Sequence, residues 1–151
     1  SEMCIRDRCK ESDLVIVSTK GRYALRVIID LAINGNDEYI SLKDISERSL
    51  ISMKYLESIV SNLNKHGLLD SLRGKKGGYK LNRPTGEYTV GMILKASEGS
   101  LAPVACVNCG DVQCNEAHDC ITLPMWKKLD SVIDSYLESV TIEDLINGKV
   151  E

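Results

Sequence analysis

The chain has 151 residues, of which 43% are hydrophobic and 27% are charged, and this ordinary globular composition excludes a chain that is disordered throughout. No apolar run approaches the ~20 residues that cross a bilayer, and no secretion signal is recognisable, so the sequence predicts a cytoplasmic protein with no membrane partner. Six cysteines in such a chain indicate metal binding or redox chemistry rather than a disulfide framework.

The net charge of -3 argues, taken alone, against a nucleic-acid partner, but this charge is unevenly divided. Residues 15–91 hold 12 Lys and Arg against 8 Asp and Glu, a net +4, whereas residues 92–151 hold 4 against 10, a net -6. Residues 1–14 supply the remaining -1. A basic part followed by an acidic part is the asymmetry expected of a chain that places one half on a polyanion.

Helical periodicity begins at Thr19, after a leader of residues 1–14 that shows no period. We expect this leader to be disordered or non-native, with Val15 in the place of an alternative start. The first helix should be largely buried and end at the turn of residues 34–36. Its apolar stripe comprises Ala24, Val27, Ile28 and Leu31.

Two shorter helices follow. Ser41 and Asp44 resemble a capping box that opens a helix ending near Ser49. Ser52 is the expected N-cap of the next helix, which His66 and the glycine after it should stop. Its inward residues are Leu56, Ile59, Val60 and Leu63. Two short helices joined by a brief turn indicate a helix-turn-helix.

A glycine-rich basic turn separates two short segments, 69–73 and 79–81, that read as strands, and this pattern predicts a hairpin wing. Residues 83–86 read as a linker, and a further helix runs to Gly99. The predicted fold is therefore α+β but mainly α: a winged helix-turn-helix with a two-stranded wing and a long C-terminal helix.

The long helix carries apolar residues at steps of 3, 4, 3 and 4, a heptad seam of about two heptads. This seam suits packing against a second subunit, and packing on its own domain is the alternative. The candidate dimerisation residues are Trp126, Leu129, Ile133, Tyr136 and Val140. Thr141 and Asp144 should cap a short final helix.

The second helix of a helix-turn-helix commonly enters the DNA major groove by its first turn. Lys54 could reach a phosphate or a guanine edge, Tyr55 a phosphate, and Glu57 a cytosine amino group. The wing suits a narrow, electronegative minor groove. A solvated charged face is the alternative for each residue alone. The candidate DNA-binding residues are Ser18, Thr19, Lys20, Arg22, Ser52, Met53, Lys54, Tyr55, Glu57, Arg73, Lys75, Lys76, Gly77, Gly78 and Tyr79.

The chain resembles the Rrf2 family of bacterial regulators over about residues 15–147. The segments that carry this resemblance are residues 18–25, 42–48, 55–57 and 67–79. The family includes iron–sulfur regulators, nitric oxide sensors and repressors of cysteine metabolism. The resemblance implies a dimeric winged-helix repressor or activator whose long C-terminal helix crosses to the other subunit. It also places the residues matching Lys54, Tyr55 and Glu57 at the major groove, and the residue matching Arg73 at the minor groove.

Four thiols cluster within 15 residues as candidate metal ligands: Cys106, Cys109, Cys114 and Cys120. Thiolates bind both zinc and iron–sulfur clusters, and a single C-x2-C pair favours iron–sulfur over a zinc site built from two such pairs.

The resemblance implies three cysteine ligands in this loop, and the spacing of Cys114 and Cys120 matches the last two. The strict position of the first is Asn108, so Cys106 or Cys109 must replace it. In one branch of the family a histidine three residues after the last cysteine completes the site, but here that residue is Leu123. The fourth ligand is then Cys106, His118 or a group from another segment.

The sequence thus predicts three parts: a leader (1–14), a winged helix-turn-helix domain (15–86), and a cysteine-rich sensory loop with a dimerisation helix (87–151). The leading hypothesis is a homodimeric regulator of a DNA operator that senses iron–sulfur status, redox state or nitric oxide through a 2Fe-2S or 4Fe-4S cluster. The alternative is a cluster-free repressor of cysteine metabolism, controlled by a partner enzyme or by thiol oxidation. The third is an iron–sulfur enzyme or assembly factor, although no nucleophile with its base is recognisable.

Overall fold

The structure, a computed structural model, describes residues 17–104, 107 and 120–150. The predictions for residues 1–14 and for Cys106, Cys109 and Cys114 lie outside these ranges. The described chain is mainly helical with a two-stranded antiparallel sheet, as predicted. Its elements are α1 (Thr19–Asn34), α2 (Leu42–Ser49), α3 (Met53–Lys65), β1 (Leu69–Leu72), β2 (Gly78–Leu81), a 3₁₀ turn (Thr85–Glu87), α4 (Val90–Glu98), α5 (Leu123–Ser139) and α6 (Ile142–Ile146).

The main core is built from the apolar stripes of α1 and α3, with α4 packed against α1. The stripes predicted from periodicity are confirmed: Ala24, Val27, Ile28, Leu31, Leu56, Ile59, Val60 and Leu63 are all buried. Ile93 and Ile142 enter the same core from α4 and α6. The carboxy-terminal segments therefore share one core with the helix-turn-helix.

Polar contacts fix α2 on α1. Arg48 donates from Nε and Nη2 to the two carboxylate oxygens of Asp30, each at 2.8 Å. This pair raises the pKa of Arg48 above its usual value, chiefly through the hydrogen bond to Asp30. Arg26 donates to the carbonyl of Ser49 at 2.8 Å. These long-range contacts leave no signal in the local sequence pattern.

The predicted helix caps are present, with one difference in detail. Ser41 and Ser52 each accept a backbone N–H from the third residue after them. In α2 the Asp44 carboxylate meets the Ser41 hydroxyl at 2.7 Å, so this cap is half of a capping box. Thr141 and Asp144 form the complete box, and the hydrogen bond from the Thr141 backbone N–H lowers the pKa of Asp144.

The turn between α2 and α3 has an unusual residue. Leu50 takes a left-handed conformation (φ 60°, ψ 26°) and is 88% exposed. A β-carbon is unfavourable in that region of the Ramachandran plot, and the apolar side chain buries little surface in return. Leu50 is therefore a point of local strain in the helix-turn-helix.

The wing matches the predicted hairpin apart from its ends. Leu69 pairs with Leu81 and Leu72 with Gly78, so the turn holds Arg73, and Gly78 belongs to the second strand. The other edge of β2 pairs with Ile40, which exchanges two hydrogen bonds of 2.9 Å with Tyr79. A β-carbon on Gly78 would overlap the Ile40 carbonyl, so only glycine allows this close approach.

The segment predicted as a linker overlaps the 3₁₀ turn, which leads to a fully buried tyrosine. The Tyr88 hydroxyl donates to the Leu68 carbonyl at 2.6 Å and accepts the Asn82 N–H at 3.1 Å. Burial raises the pKa of Tyr88. Arg83 and the Asn82 side chain both donate to the Gly67 carbonyl. The base of the wing is thereby tied to the end of α3.

The predicted seam of α5 needs one correction at its end. The helix stops at Ser139, and Val140 is an extended residue buried with Val90, Leu94 and Leu101 of the same chain. Its carbonyl accepts the Val90 N–H at 2.8 Å, and this pairing draws the chain out of the helix. No described helix is long and apolar enough to cross a membrane.

Candidate nucleic-acid interface

The amino end of α3 has an exposed, largely polar face, and its opposite face is buried in the core. Ser52, Lys54 and Glu57 are exposed, and Met53 is 42% exposed. Tyr55 is half-buried and packs edge-on against Tyr23, with ring centroids 5.6 Å apart. Since the opposite face of α3 lies in the core, the direction in which this turn projects its exposed residues is fixed.

The tip of the wing is basic and exposed. The 3.0 Å hydrogen bond from the Gly77 N–H to the Gly74 carbonyl closes a tight turn that contains Lys75 and Lys76, and Arg73 directly precedes this turn. Among the residues that the structure describes, no acidic side chain forms an ion pair with these three or with Lys54. Their charges therefore stay available for phosphate or for an electronegative groove.

Three other candidate DNA-binding residues in the wing, Gly77, Gly78 and Tyr79, pack closely against their own chain. A β-carbon on Gly77 would overlap the Leu72 carbonyl, and Gly78 lies against Ile40. Tyr79 is half-buried against the main core and pairs with Ile40 through its backbone. These residues shape and anchor the wing.

At the amino end of α1, Thr19, Lys20 and Arg22 are exposed, and Arg22 donates to the Thr19 hydroxyl at 3.2 Å. Ser18 is already engaged: it caps the helix by accepting the Lys20 N–H, and its hydroxyl donates to Glu98 at 2.7 Å. The first turn of α1 therefore offers three side chains to a phosphate backbone, with the Ser18 hydroxyl directed inward.

Of the four candidate metal ligands, the structure describes Cys120. This half-buried residue precedes α5, and its sulfur lies 3.5 Å from the Thr122 hydroxyl. Leu123, at the position where one branch of the family has histidine, is buried as the first residue of α5. Within the described ranges, no three His, Cys, Asp or Glu side chains are grouped to hold a metal ion.

The candidate dimerisation residues on α5 differ in exposure. Leu129 and Tyr136 are 39% and 52% exposed, whereas Trp126 and Ile133 are half-buried. Ile133 lines a cavity beside Lys95 of α4. The heptad spacing found one helix surface, but part of that surface packs on its own chain.

Two further residues extend the exposed side. Met125 and Val132 are 53% and 51% exposed and continue the spacing of Leu129 and Tyr136 along α5. We call Met125, Leu129, Val132 and Tyr136 the open stripe of α5. Sequence reasoning missed Met125 and Val132 because a seam displaced by one residue has the same period.

Charged side chains join α5 to α4. Lys95 forms ion pairs with Asp134 and Glu138, and the Thr89 hydroxyl donates to Glu138 at 2.9 Å. Hydrogen bonds to Asp134 and Glu138 raise the pKa of Lys95. These contacts turn the half-buried side of α5 inward and leave the open stripe outward.

Comparison with known proteins adds to this geometry. The family model of Rrf2, described as an iron-dependent transcriptional regulator, matches residues 17–148. The chain belongs to the Rrf2 family. The Rrf2 regulator IscR of Pectobacterium atrosepticum is 37% identical over 133 residues, which cover 88% of this chain and 80% of that protein.

Solved structures of Rrf2 proteins share the fold. CymR, the global cysteine regulator of B. subtilis, is 36% identical with a TM-score of 0.70, covering 85% of this chain and 94% of that one. IscR of T. potens is 34% identical with a TM-score of 0.68, covering 89% and 88%. As a member of the Rrf2 family, this protein is a DNA-binding transcription regulator rather than an enzyme.

Proposed function

We propose that this chain acts as a homodimer on a pseudo-palindromic DNA operator, with α3 in the major groove and the wing in the minor groove. The observation that carries the proposal is that an exposed basic wing tip and an exposed first turn of α3 belong to elements joined by the Ile40–Tyr79 bridge and the Tyr88 hydrogen bond to Leu68. Lys54 and Glu57 read base edges, and Arg73, Lys75 and Lys76 contact the minor groove and its phosphates.

Residues 15–86 are proposed as the DNA-binding part and residues 87–151 as the sensory and dimerisation part. We propose that a second copy of the chain packs on the open stripe of α5. Four large side chains at heptad spacing stay exposed there on a single chain, and this favours such packing. A two-fold symmetric dimer then presents two α3 helices to two half-sites.

Selection from a randomised duplex library, followed by anisotropy titrations at several salt concentrations, tests this proposal. We expect a two-fold symmetric sequence to be enriched and its affinity to fall steeply with salt. A chain that enriches no sequence, or whose binding is insensitive to salt, would falsify the proposal.

The cysteine segment is proposed to hold a 2Fe-2S or 4Fe-4S cluster. The donor chemistry fits: four thiols lie between positions 106 and 120, and the family description is iron-dependent. The ligands are Cys114 and Cys120 with Cys106 or Cys109, and the fourth is Cys106, His118 or a group from another segment. A bound cluster would supply a redox-dependent charge to the segment that leads into α5.

Anaerobic purification with absorbance, iron and sulfide assays measures the cluster directly. We expect iron and sulfide in whole-number ratio to the chain, and lower content after Cys114→Ser. Colourless protein that stays free of iron after anaerobic reconstitution would rule out the cluster.

The second candidate is a cluster-free regulator whose thiols respond to oxidation or whose activity a partner enzyme controls. The identity of Leu123 favours it, because an aliphatic side chain cannot supply the ligand found at this position in one branch of the family. The likeness to CymR also favours it. Mild oxidation of iron-free protein should then change operator affinity, and Cys→Ser variants should abolish that response.

A further inference from the structure

The carboxylate of Glu98 lies at the amino end of α1. Its Oε1 atom accepts the Ser18 N–H at 2.9 Å, the Ser18 hydroxyl at 2.7 Å and the Gly21 N–H at 2.9 Å. Glu98 is the last residue of α4, so these contacts join two helix ends about eighty positions apart in the sequence. One oxygen thus satisfies two backbone donors that the first turn of α1 would otherwise leave unpaired.

The position of Glu98 is unfavourable in its own helix. A negative charge in the last turn opposes the helix dipole, whereas the same charge at a helix amino end is favourable. α4 ends at Gly99, whose φ of 82° suits glycine, so Glu98 is not needed to terminate the helix. The charge therefore stabilises α1 at the expense of α4.

Gly21 makes this contact possible. A β-carbon at Gly21 would lie 2.5 Å from Glu98 Oε1 and 3.1 Å from Leu94 Cδ2. Any larger residue would displace the carboxylate from the helix end. The glycine is thus a second, independent feature built around the same contact.

One turn before Glu98, the same helix carries Lys95, which pairs with Asp134 and Glu138 of α5. A β-carbon on Gly91 would likewise lie 2.5 Å from Glu138 Oε1, so α5 also approaches α4 closely. α4 is therefore held to α5 by the ion pairs of Lys95 and to the first turn of α1 by the hydrogen bonds that Glu98 accepts.

We propose that Glu98 is a positioning residue for DNA binding: by holding the first turn of α1 it directs Thr19, Lys20 and Arg22 toward the DNA backbone, without touching DNA itself. The inference rests on the proposed DNA-binding surface. Without the carboxylate, the Ser18 and Gly21 N–H groups lose their partner and the first turn frays. The three side chains then contact phosphate only after reordering, which costs affinity.

Glu98→Ala and Glu98→Gln separate this role from a general loss of charge. We expect the alanine variant to bind the operator about 10-fold more weakly, with a shallower salt dependence, because the α1 phosphate contacts are lost. The glutamine variant keeps an acceptor oxygen and should bind close to the unaltered protein. Amide hydrogen exchange at Gly21 should accelerate in Glu98→Ala and stay slow in Glu98→Gln.

Gly21→Ala tests the same contact without changing any charge. Alanine is intrinsically the better helix former, so a loss of operator affinity would come from the displaced carboxylate rather than from a weaker helix. Thr141→Ala is the control, since it removes the side-chain cap at the start of α6 and should leave operator binding unchanged.

Two outcomes overturn the inference alone: operator binding by Glu98→Ala equal to that of the unaltered chain, or an equal loss in Thr141→Ala. Failure of the unaltered chain to bind any duplex overturns the proposed function instead.

Discussion

The helix-turn-helix with its wing and the long helix α5 differ in how their side chains find partners. The first region is completed within one chain: Ser41 and Ser52 cap its helices, Tyr88 ties the wing to α3, and Ile40 pairs with β2. Helix α5 packs on its own chain along one side, where Lys95 pairs with Asp134 and Glu138. Its open stripe stays in solvent. The described helix-turn-helix thus finds its contacts within one protomer, whereas we propose that a second protomer covers the open stripe.

The largest effect on dimerisation and operator affinity is expected at the centre of the open stripe. Val132→Glu places a carboxylate where we propose that two copies meet, and an unpaired buried charge is strongly unfavourable. We expect a monomer in sedimentation experiments and a loss of operator affinity of about 100-fold, because each half-site is then bound alone.

Ser131→Glu is the control, since Ser131 is exposed on a different face of α5. A dimer that survives Val132→Glu, or one that Ser131→Glu dissociates equally, would place the subunit interface elsewhere.

A smaller and more selective effect is expected on the reading face of α3. Glu57→Ala should relax discrimination at one base pair of each half-site by about 1–3 kcal/mol, while binding to unrelated duplexes changes little. Competition titrations against single-base variants of the operator measure this. Glu143→Ala, the same charge change on the exposed face of α6, should leave the preference intact. Uniform weakening on every duplex would contradict base reading by Glu57.

The wing should show the opposite behaviour. Lys75→Ala is expected to weaken operator and unrelated duplexes by the same factor and to reduce the salt slope by about 0.9 per protomer, the value for one phosphate contact. Lys127→Ala removes an exposed charge from α5 and should change neither quantity. A preserved salt slope in Lys75→Ala would show that the wing tip stays clear of the backbone.

The smallest effect concerns the self-contained region. Leu50→Gly should raise the free energy of unfolding by about 0.5–1 kcal/mol, because glycine adopts the left-handed turn without a β-carbon clash. Leu50→Ala removes the same exposed side chain but keeps the β-carbon, so no comparable gain is expected. Urea denaturation with both variants decides whether strain or exposure matters at this turn.

Much of the fold could be predicted because its helices, caps and wing follow from short-range patterns in the sequence. The i, i+3, i+4 and i+7 spacing identified the buried faces of α1 and α3, and Ser41, Ser52 and Thr141 marked helix starts correctly. A basic glycine-rich turn between two short predicted strands was sufficient to predict the wing.

The remainder depends on partners distant in sequence. The hydroxyl of Tyr88 meets Leu68, and the carboxylate of Glu98 meets Ser18, and neither contact has a local signature. Val140 has the right spacing for the α5 seam, but its pairing with Val90 removes it from the helix. The DNA-contact roles, the cluster ligands and the subunit interface stay predictions, and the experiments above test them.

The bridge between Ile40 and Tyr79 has a consequence for the operator itself. Because β2 pairs both with β1 and with Ile40 just before α2, backbone hydrogen bonds join the wing to the helix-turn-helix. We therefore expect a constant offset, within a half-site, between the grooves proposed for α3 and for the wing. Inserting one base pair there would shift these grooves by about 3.4 Å and rotate them relative to each other. Operator length should therefore be invariant within each half-site, and any tolerated variation should fall between the half-sites.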